Sequence, residues 1–115
     1  MSSPIWTPNE SQIQNANVTK FLSYANQKID IKLSNYWDLH QYSINHSDEF
    51  WLLVADFCGA IGDFSGPVRV GKSMIDTKWF PEASLNFAET MLVRRDEADA
   101  IVFRGEDKVE LRLSF

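Results

Sequence analysis

Residues 99–115 read Asp-Ala-Ile-Val-Phe-Arg-Gly-Glu-Asp-Lys-Val-Glu-Leu-Arg-Leu-Ser-Phe. Ala100–Phe103 is a short, continuously apolar run of the kind a buried strand makes. Val109, Leu111, Leu113 and Phe115 then alternate with Glu110, Arg112 and Ser114, the period of a strand with one face covered. Arg104–Lys108 (RGEDK) supplies the turn between them. This is the clearest pattern in the chain, and it makes the fold α+β rather than all-helical. Two strands alone are marginal in water and need more sheet, or a helix, to cover them. Either the hairpin folds back onto the helices before it, or it continues into a larger sheet. The pattern runs to the last residue, with Ser114 placed to cap another helix, and the second alternative makes the chain a fragment.

Upstream, the spacing is helical. Thr7-Pro8-Asn9-Glu10 has the form of a capping box, with Thr7 as cap, Pro8 at the first helical position and Glu10 three after the cap. Val18, Phe21, Leu22, Ala25 and Ile29 follow on one stripe, predicting one helix over about 8–29. After the polar stretch Asp30–Asn35 a short second helix starts near Tyr36. Ser47-Asp48-Glu49 opens a third, with two acids on the positive end of its dipole. Phe50–Cys58 is apolar nearly all round, which predicts a largely buried helix, stopped at Gly59. Residues 59–73 hold four of the five glycines and read as a long loop with one extended piece at Val68–Val70. Met74–Phe80 reads as extended up to Pro81. Ser84 is placed to cap a fourth helix carrying Leu85, Ala88, Met91 and Leu92, with Arg94 and Arg95 at its negative end.

The composition narrows the function classes. The chain has 115 residues and a formal charge of −5, with the acidic excess spread over both halves. That size fits one domain. No basic stripe is present, which argues against nucleic acid or an anionic membrane as partner. The longest apolar run, Phe50–Ala55, is far short of a membrane span. Hydrophobic residues make up 44% and include four Trp, enough for a real core. The first residues, Met-Ser-Ser-Pro-Ile-Trp, lack the basic-then-apolar order of a secretion signal, and the single Cys58 rules out an internal disulfide. Both point to a reducing, cytoplasmic setting. The sequons at Asn9, Asn17 and Asn45 then read as ordinary surface and cap residues.

Several motifs invite a chemical reading. Gly66-Pro67-Val68-Arg69-Val70-Gly71-Lys72-Ser73 matches the phosphate-loop pattern letter for letter. Such a loop needs a buried strand before it and a helix after it, so that backbone N–H groups and the helix dipole surround the phosphates. Gly59–Ser65 offers no such strand, Pro67 removes a donor, and Pro81 cuts short any helix. Gly66, Gly71, Lys72 and Ser73 are therefore read as a letter match rather than a cofactor site. His40 and His46 lie about 240° apart around a helix and share no face, so no metal site is expected. Cys58, in the third helix, reads as an inert small hydrophobe. Asp96, Glu97, Asp99, Glu106 and Asp107 read as solvated charges beside arginines rather than an acid–base pair. Trp37, Phe50, Trp51, Trp79 and Phe80 are core or, where exposed, a docking surface for another domain.

Four segments, in order, carry a resemblance. They are Ile5-Trp6-Thr7-Pro8; Phe50-Trp51 with the Phe57-Cys58-Gly59 stop; Lys78-Trp79-Phe80-Pro81-Glu82-Ala83-Ser84-Leu85-Asn86-Phe87-Ala88-Glu89; and Asp99–Asp107. Together they resemble the N-terminal region of the acetoacetyl-CoA synthetases (acetoacetate–CoA ligases), within the acyl-adenylate-forming, AMP-dependent synthetase/ligase superfamily. The third segment, similar to W-F-P-x-A-x-L-N-[YF]-A-E, is the most specific. The acetyl- and propionyl-CoA synthetases share the layout and stay as an alternative.

The resemblance implies an α-rich N-terminal region over 1–93, of about four helices. A β-hairpin over 94–115 then begins the large α/β adenylate-forming domain. The parent would be an acid–thiol ligase using ATP, CoA and Mg2+. No family catalytic residue maps onto these 115 positions, so the chain alone is expected to be inactive and to bind no cofactor. Its implied role is scaffolding: Trp79, Phe80, Leu85 and Phe87 would anchor a wrap around the large domain. Asn86 would satisfy backbone groups at the bend beside Pro81, with Glu89 completing the signature. The implied partner is the remainder of the same polypeptide, with a dimer through the exposed hairpin edge as a further expectation. Two further alternatives are a stand-alone protein-interaction module with an aromatic face and a small nucleotide-binding protein using Gly66–Ser73.

Overall fold

The computed structural model describes residues 4–106 and 109–115. It divides into two compact units, one ending at Cys58 and the other starting at Gly59. The result is mixed and helix-rich, with short antiparallel strand pairs.

The first unit is helical. α1 (Glu10–Asn15) and α2 (Asn17–Lys28) take the place of the single helix expected over 8–29. Ala16 is extended at φ −63°, ψ 139° and ends one helix while preceding the other. Asn15 turns its side-chain amide onto the Ser11 carbonyl at 2.8 Å, and the Thr19 hydroxyl donates to the Ile13 carbonyl at 2.6 Å, across the break. Short polar side chains of this kind compete with the helical ladder. The capping box is present two residues later than expected. Asn9 accepts from the Gln12 N–H and Gln12 accepts from the Asn9 N–H, both at 2.9 Å, and Thr7 is no cap. Asn is a stronger cap than Thr, and Asn9 takes the position.

α3 (Tyr36–Asn45) and α4 (Ser47–Phe57) start where expected. Asn35 caps α3 by accepting from the Trp37 and Asp38 N–H groups at 2.8 and 3.1 Å. Phe21, Ala25, Leu33, Leu39 and Tyr42 form the buried core. The rings of Phe50 and Phe57 meet Phe21 edge-on at 5.7 and 5.2 Å, the favoured geometry for aromatic pairs. Asn26 and Leu33 exchange hydrogen bonds at 2.7 and 2.8 Å, tying the turn after α2 back onto that helix.

One expectation is corrected here. α4 has no buried residue; Trp51 and Leu52 are exposed, and so is Cys58 at its C-cap. α2 and α3 cover only one side of α4, so its remaining apolar face is left to water.

The second unit is built from short ribbons. β1 (Gly62–Asp63) pairs with β4 (Ser84–Leu85), and β2 (Arg69–Val70) pairs with β3 (Lys78–Trp79). Gly62 is required because a Cβ there would lie 2.7 Å from the Leu85 Cβ and 2.9 Å from the Ser84 carbonyl. Ser84 lies in β4 and caps nothing. The fourth helix is the shorter α5 (Phe87–Met91), capped instead by Asn86. α5 is held to the chain near β1 by the Thr90 hydroxyl, which accepts from the Ile61 N–H at 3.1 Å.

β5 (Asp99–Arg104) and β6 (Glu110–Ser114) form the antiparallel hairpin, in the register Ile101–Leu113, Val102–Arg112, Phe103–Leu111 and Arg104–Glu110. The Gly105 N–H donates to the Val109 carbonyl at 2.7 Å, closing the turn end. Two residues of the expected turn, Asp107 and Lys108, lie outside the described residues, as do Met1–Ser3.

Candidate functional site

The phosphate-loop letters fall on a strand ribbon. Arg69–Val70 is β2, running antiparallel to Lys78–Trp79, and no helix begins at Ser73. Instead the Ser73 hydroxyl donates to Asp76 at 2.7 Å, and the Thr77 hydroxyl donates to the Ser73 carbonyl at 2.7 Å, which closes a tight loop over 71–77. Gly71 sits at φ +111°, and a Cβ there would be 2.5 Å from the Asp76 carbonyl oxygen. A hollow of about 590 Å³ opens beside this loop, lined by Arg69, Lys72, Ser73 and Trp79 among others.

The signature over 78–89 turns through this unit as follows. Phe80 has φ 46°, a left-handed conformation that costs a bulky residue about 1–2 kcal/mol. It is held there by its N–H bond to the Val68 carbonyl at 2.7 Å and by edge-on packing against Phe64 at 5.5 Å. The kink turns Phe80 inward, while Trp79, Leu85 and Phe87 keep 41%, 50% and 71% of their surface exposed. The Arg69 guanidinium lies over the Trp79 ring at 5.6 Å. Asn86 accepts from the Ala88 and Glu89 N–H groups at 3.1 and 3.4 Å. Pro81 and Glu89 face water.

The hairpin presents a second apolar face. Ile101, Phe103, Leu111 and Leu113 pair across β5 and β6 on one side, each about half exposed. Arg112 bonds Asp99. Just before the hairpin, Arg94 grips Asp96 at 2.7 Å and holds its carboxyl below the usual range, aided by the Ala98 N–H. Asp96 and Asp99 are thus engaged by neighbouring arginines; Asp107 lies outside the described residues.

In the helical unit an apolar cleft of about 360 Å³ lies between α2, α3 and α4, lined by Val18, Phe21, Leu39, Phe50, Val54 and Cys58 among others. His40 lies against Tyr36 and Trp37, and His46 stacks on Tyr42 at 4.9 Å. The Tyr42 hydroxyl donates to Glu49 at 2.8 Å. Burial, then that bond, pushes its phenol up to about 12. Tyr24 bonds Asp56, which raises the phenol and lowers the carboxyl, with Lys28 3.6 Å from the same acid. Sequence reasoning missed both tyrosine–carboxylate links, because they join residues on different helices. Among the described residues no three His, Cys, Asp or Glu side chains converge, and no helix is long and apolar enough to cross a membrane.

The exposed surface has a measurable size. The chain presents 9579 Å². A self-contained globule of 13.2 kDa presents about 6,400 Å², and two separate globules of half that mass about 7,700 Å² together. The surplus over even the second figure is about a quarter, and many of the exposed side chains are large and apolar.

Comparison with known proteins gives this surface a context. The chain is 34% identical over 113 residues to acetoacetyl-coenzyme A synthetase of Rhizobium meliloti, covering 97% of the chain and 17% of that protein. It is 30% identical over 112 residues to acetoacetyl-CoA synthetase of Danio rerio, covering 95% of the chain and 16% of that protein. Malonamoyl-CoA synthetase vrtB of Penicillium aethiopicum is 35% identical over 91 residues, which is 71% of the chain and 13% of that protein. No family model matches the chain. No solved structure matches it significantly. The chain spans about a sixth of the length of these relatives and is homologous, along nearly all of its own length, to the N-terminal part of acetoacetyl-CoA synthetases, in the acyl-adenylate-forming family.

Proposed function

We propose that this chain is the N-terminal scaffold of an acyl-adenylate-forming synthetase, and that it covers and braces a large catalytic domain of the same polypeptide without doing chemistry itself. The observation that carries this reading is the number of large apolar side chains left exposed, Leu85, Phe87 and the hairpin face among them. Extensive exposed apolar surface marks a face that docks against another body. Among the described residues the hairpin pairs with no further strand, and residues 94–115 are read as the first strands of the large domain's sheet. Trp79, Leu85 and Phe87 act as apolar anchors, Phe80 and Pro81 set the bend between them, and Asn86 starts the helix that carries Phe87 and Glu89.

The parent reaction is the joining of acetoacetate to ATP, with release of pyrophosphate, followed by transfer of the acyl group to the CoA thiol and release of AMP. Mg2+ would offset phosphate charge in that reaction. Among the described residues no three His, Cys, Asp or Glu side chains converge. In this reading the rest of the polypeptide holds ATP, CoA and Mg2+, and the protein works in the cytoplasm. The relative that bears a malonamoyl name supports placing the choice of acyl group elsewhere in the polypeptide.

An antibody raised against this chain tests the reading on the natural protein. The expected result is a single band far above 13.2 kDa in source-cell lysate. The immunoprecipitate should form AMP from ATP only when acetoacetate and CoA are both supplied. A band at 13.2 kDa, or a large protein without that activity, would overturn it.

A further inference from the structure

The loop between β2 and β3 carries two adjacent large apolar side chains at its tip. Met74 is 92% exposed and Ile75 91%. The loop that presents them is pinned. Ser73 and Asp76 exchange hydrogen bonds at 2.7 and 3.3 Å, Thr77 bonds back to the Ser73 carbonyl, and Gly71 lets the Asp76 carbonyl approach more closely than any side chain would allow. The tip is thus held in one shape before it meets anything, which lowers the ordering cost of binding. Lys72 within the loop and Lys78 at the start of β3 flank it, against Asp76, in a chain of formal charge −5.

We infer that Met74 and Ile75 form an apolar knob with a basic collar that seats in an apolar recess rimmed by carboxylates on the remainder of the same polypeptide. This deepens the proposed scaffold role and rests on it. Charge complementarity sets the chemistry of the recess. The length of the relatives, about six times that of the chain, leaves ample polypeptide to supply it. A lipid surface is the weaker occupant, because two side chains make a small anchor and the chain as a whole is acidic.

Oxidation of Met74 by dilute hydrogen peroxide, followed by peptide mass spectrometry on the full-length polypeptide, tests this. A seated knob keeps Met74 at least tenfold slower to oxidise than in the same polypeptide unfolded in urea. The double charge reversal Lys72→Glu with Lys78→Glu, which leaves both apolar residues in place, should remove most of that protection. Oxidation as fast as in urea overturns the inference, and so does protection that appears only when phosphatidylserine vesicles are added. Protection untouched by the charge reversal overturns the carboxylate rim. Failure of the underlying scaffold reading shows separately, as the absence of any larger polypeptide on the immunoblot.

Discussion

Phe103→Ala in the full-length polypeptide separates a covered hairpin from a bare one. Phe103 keeps 53% of its surface exposed within the chain itself. Full burial of such a side chain is worth about 1.5–3 kcal/mol. If β5 and β6 face water, only about half of that is present to lose, and truncation costs about 1 kcal/mol. If the large domain covers the face, truncation removes the whole burial term and leaves a cavity, costing about 3–5 kcal/mol. Native-state hydrogen exchange of the peptide spanning 99–115 reads the difference locally, without requiring the whole enzyme to unfold in one step. At about 1.4 kcal/mol per tenfold, the covered case lowers amide protection by more than about a hundredfold and the bare case by about fivefold. A fivefold change or less would refute the reasoning that places the hairpin against another body. The cross-strand partner Leu111, truncated to Ala, should give the same contrast between the two cases and guards against a peculiarity of one side chain.

Helix content of the first unit should hold steady as pH rises to about 10 and then fall between about 10 and 12. The Tyr42 phenol is raised to about 12 in the fold, so the unfolded chain gives up this proton first and folding loses stability through that window. Circular dichroism on Tyr42→Phe should show a smaller loss over the same range, with the part that remains including Tyr24, whose phenol is also raised. Asn86→Ala removes the acceptor for two N–H groups of α5 and should cost about 1 kcal/mol, seen as faster exchange of the amides at 88 and 89; Asn86→Asp should restore most of it. Gly71→Ala meets both a φ of +111° and the Asp76 carbonyl at 2.5 Å and should cost about 1–3 kcal/mol. The readout is proteolytic nicking within 69–79, and unchanged resistance would refute the tight-loop account.

Much of the architecture was legible in local chemistry. The caps and apolar runs of α3 and α4 placed those helices, and the period-two pattern placed β5 and β6, because each depends on neighbours close in sequence. The break at Ala16 was not legible, since it depends on bonds made by Asn15 and Thr19 to the preceding turn. Nor was the loss of Ser84 as a cap. Its backbone is drawn into pairing with Asp63, some twenty residues away, and Asn86 takes over the helix start. The exposure of α4 and Cys58 was misread for a related reason. An apolar sequence states that a surface should be covered; it does not state that the cover lies within the same 115 residues.

The sequence by itself determined which segments turn into helix or strand and which side chains seek shelter from water, because propensity, capping and periodicity act over a few residues. It also carried the resemblance that names a family. Only the tertiary structure decided which of those side chains find shelter. Phe21, Leu39 and Tyr42 are enclosed by facing helices, while Phe87 and the hairpin face stay open. Burial is a property of what lies opposite a residue, and that is set by packing between segments far apart in the chain.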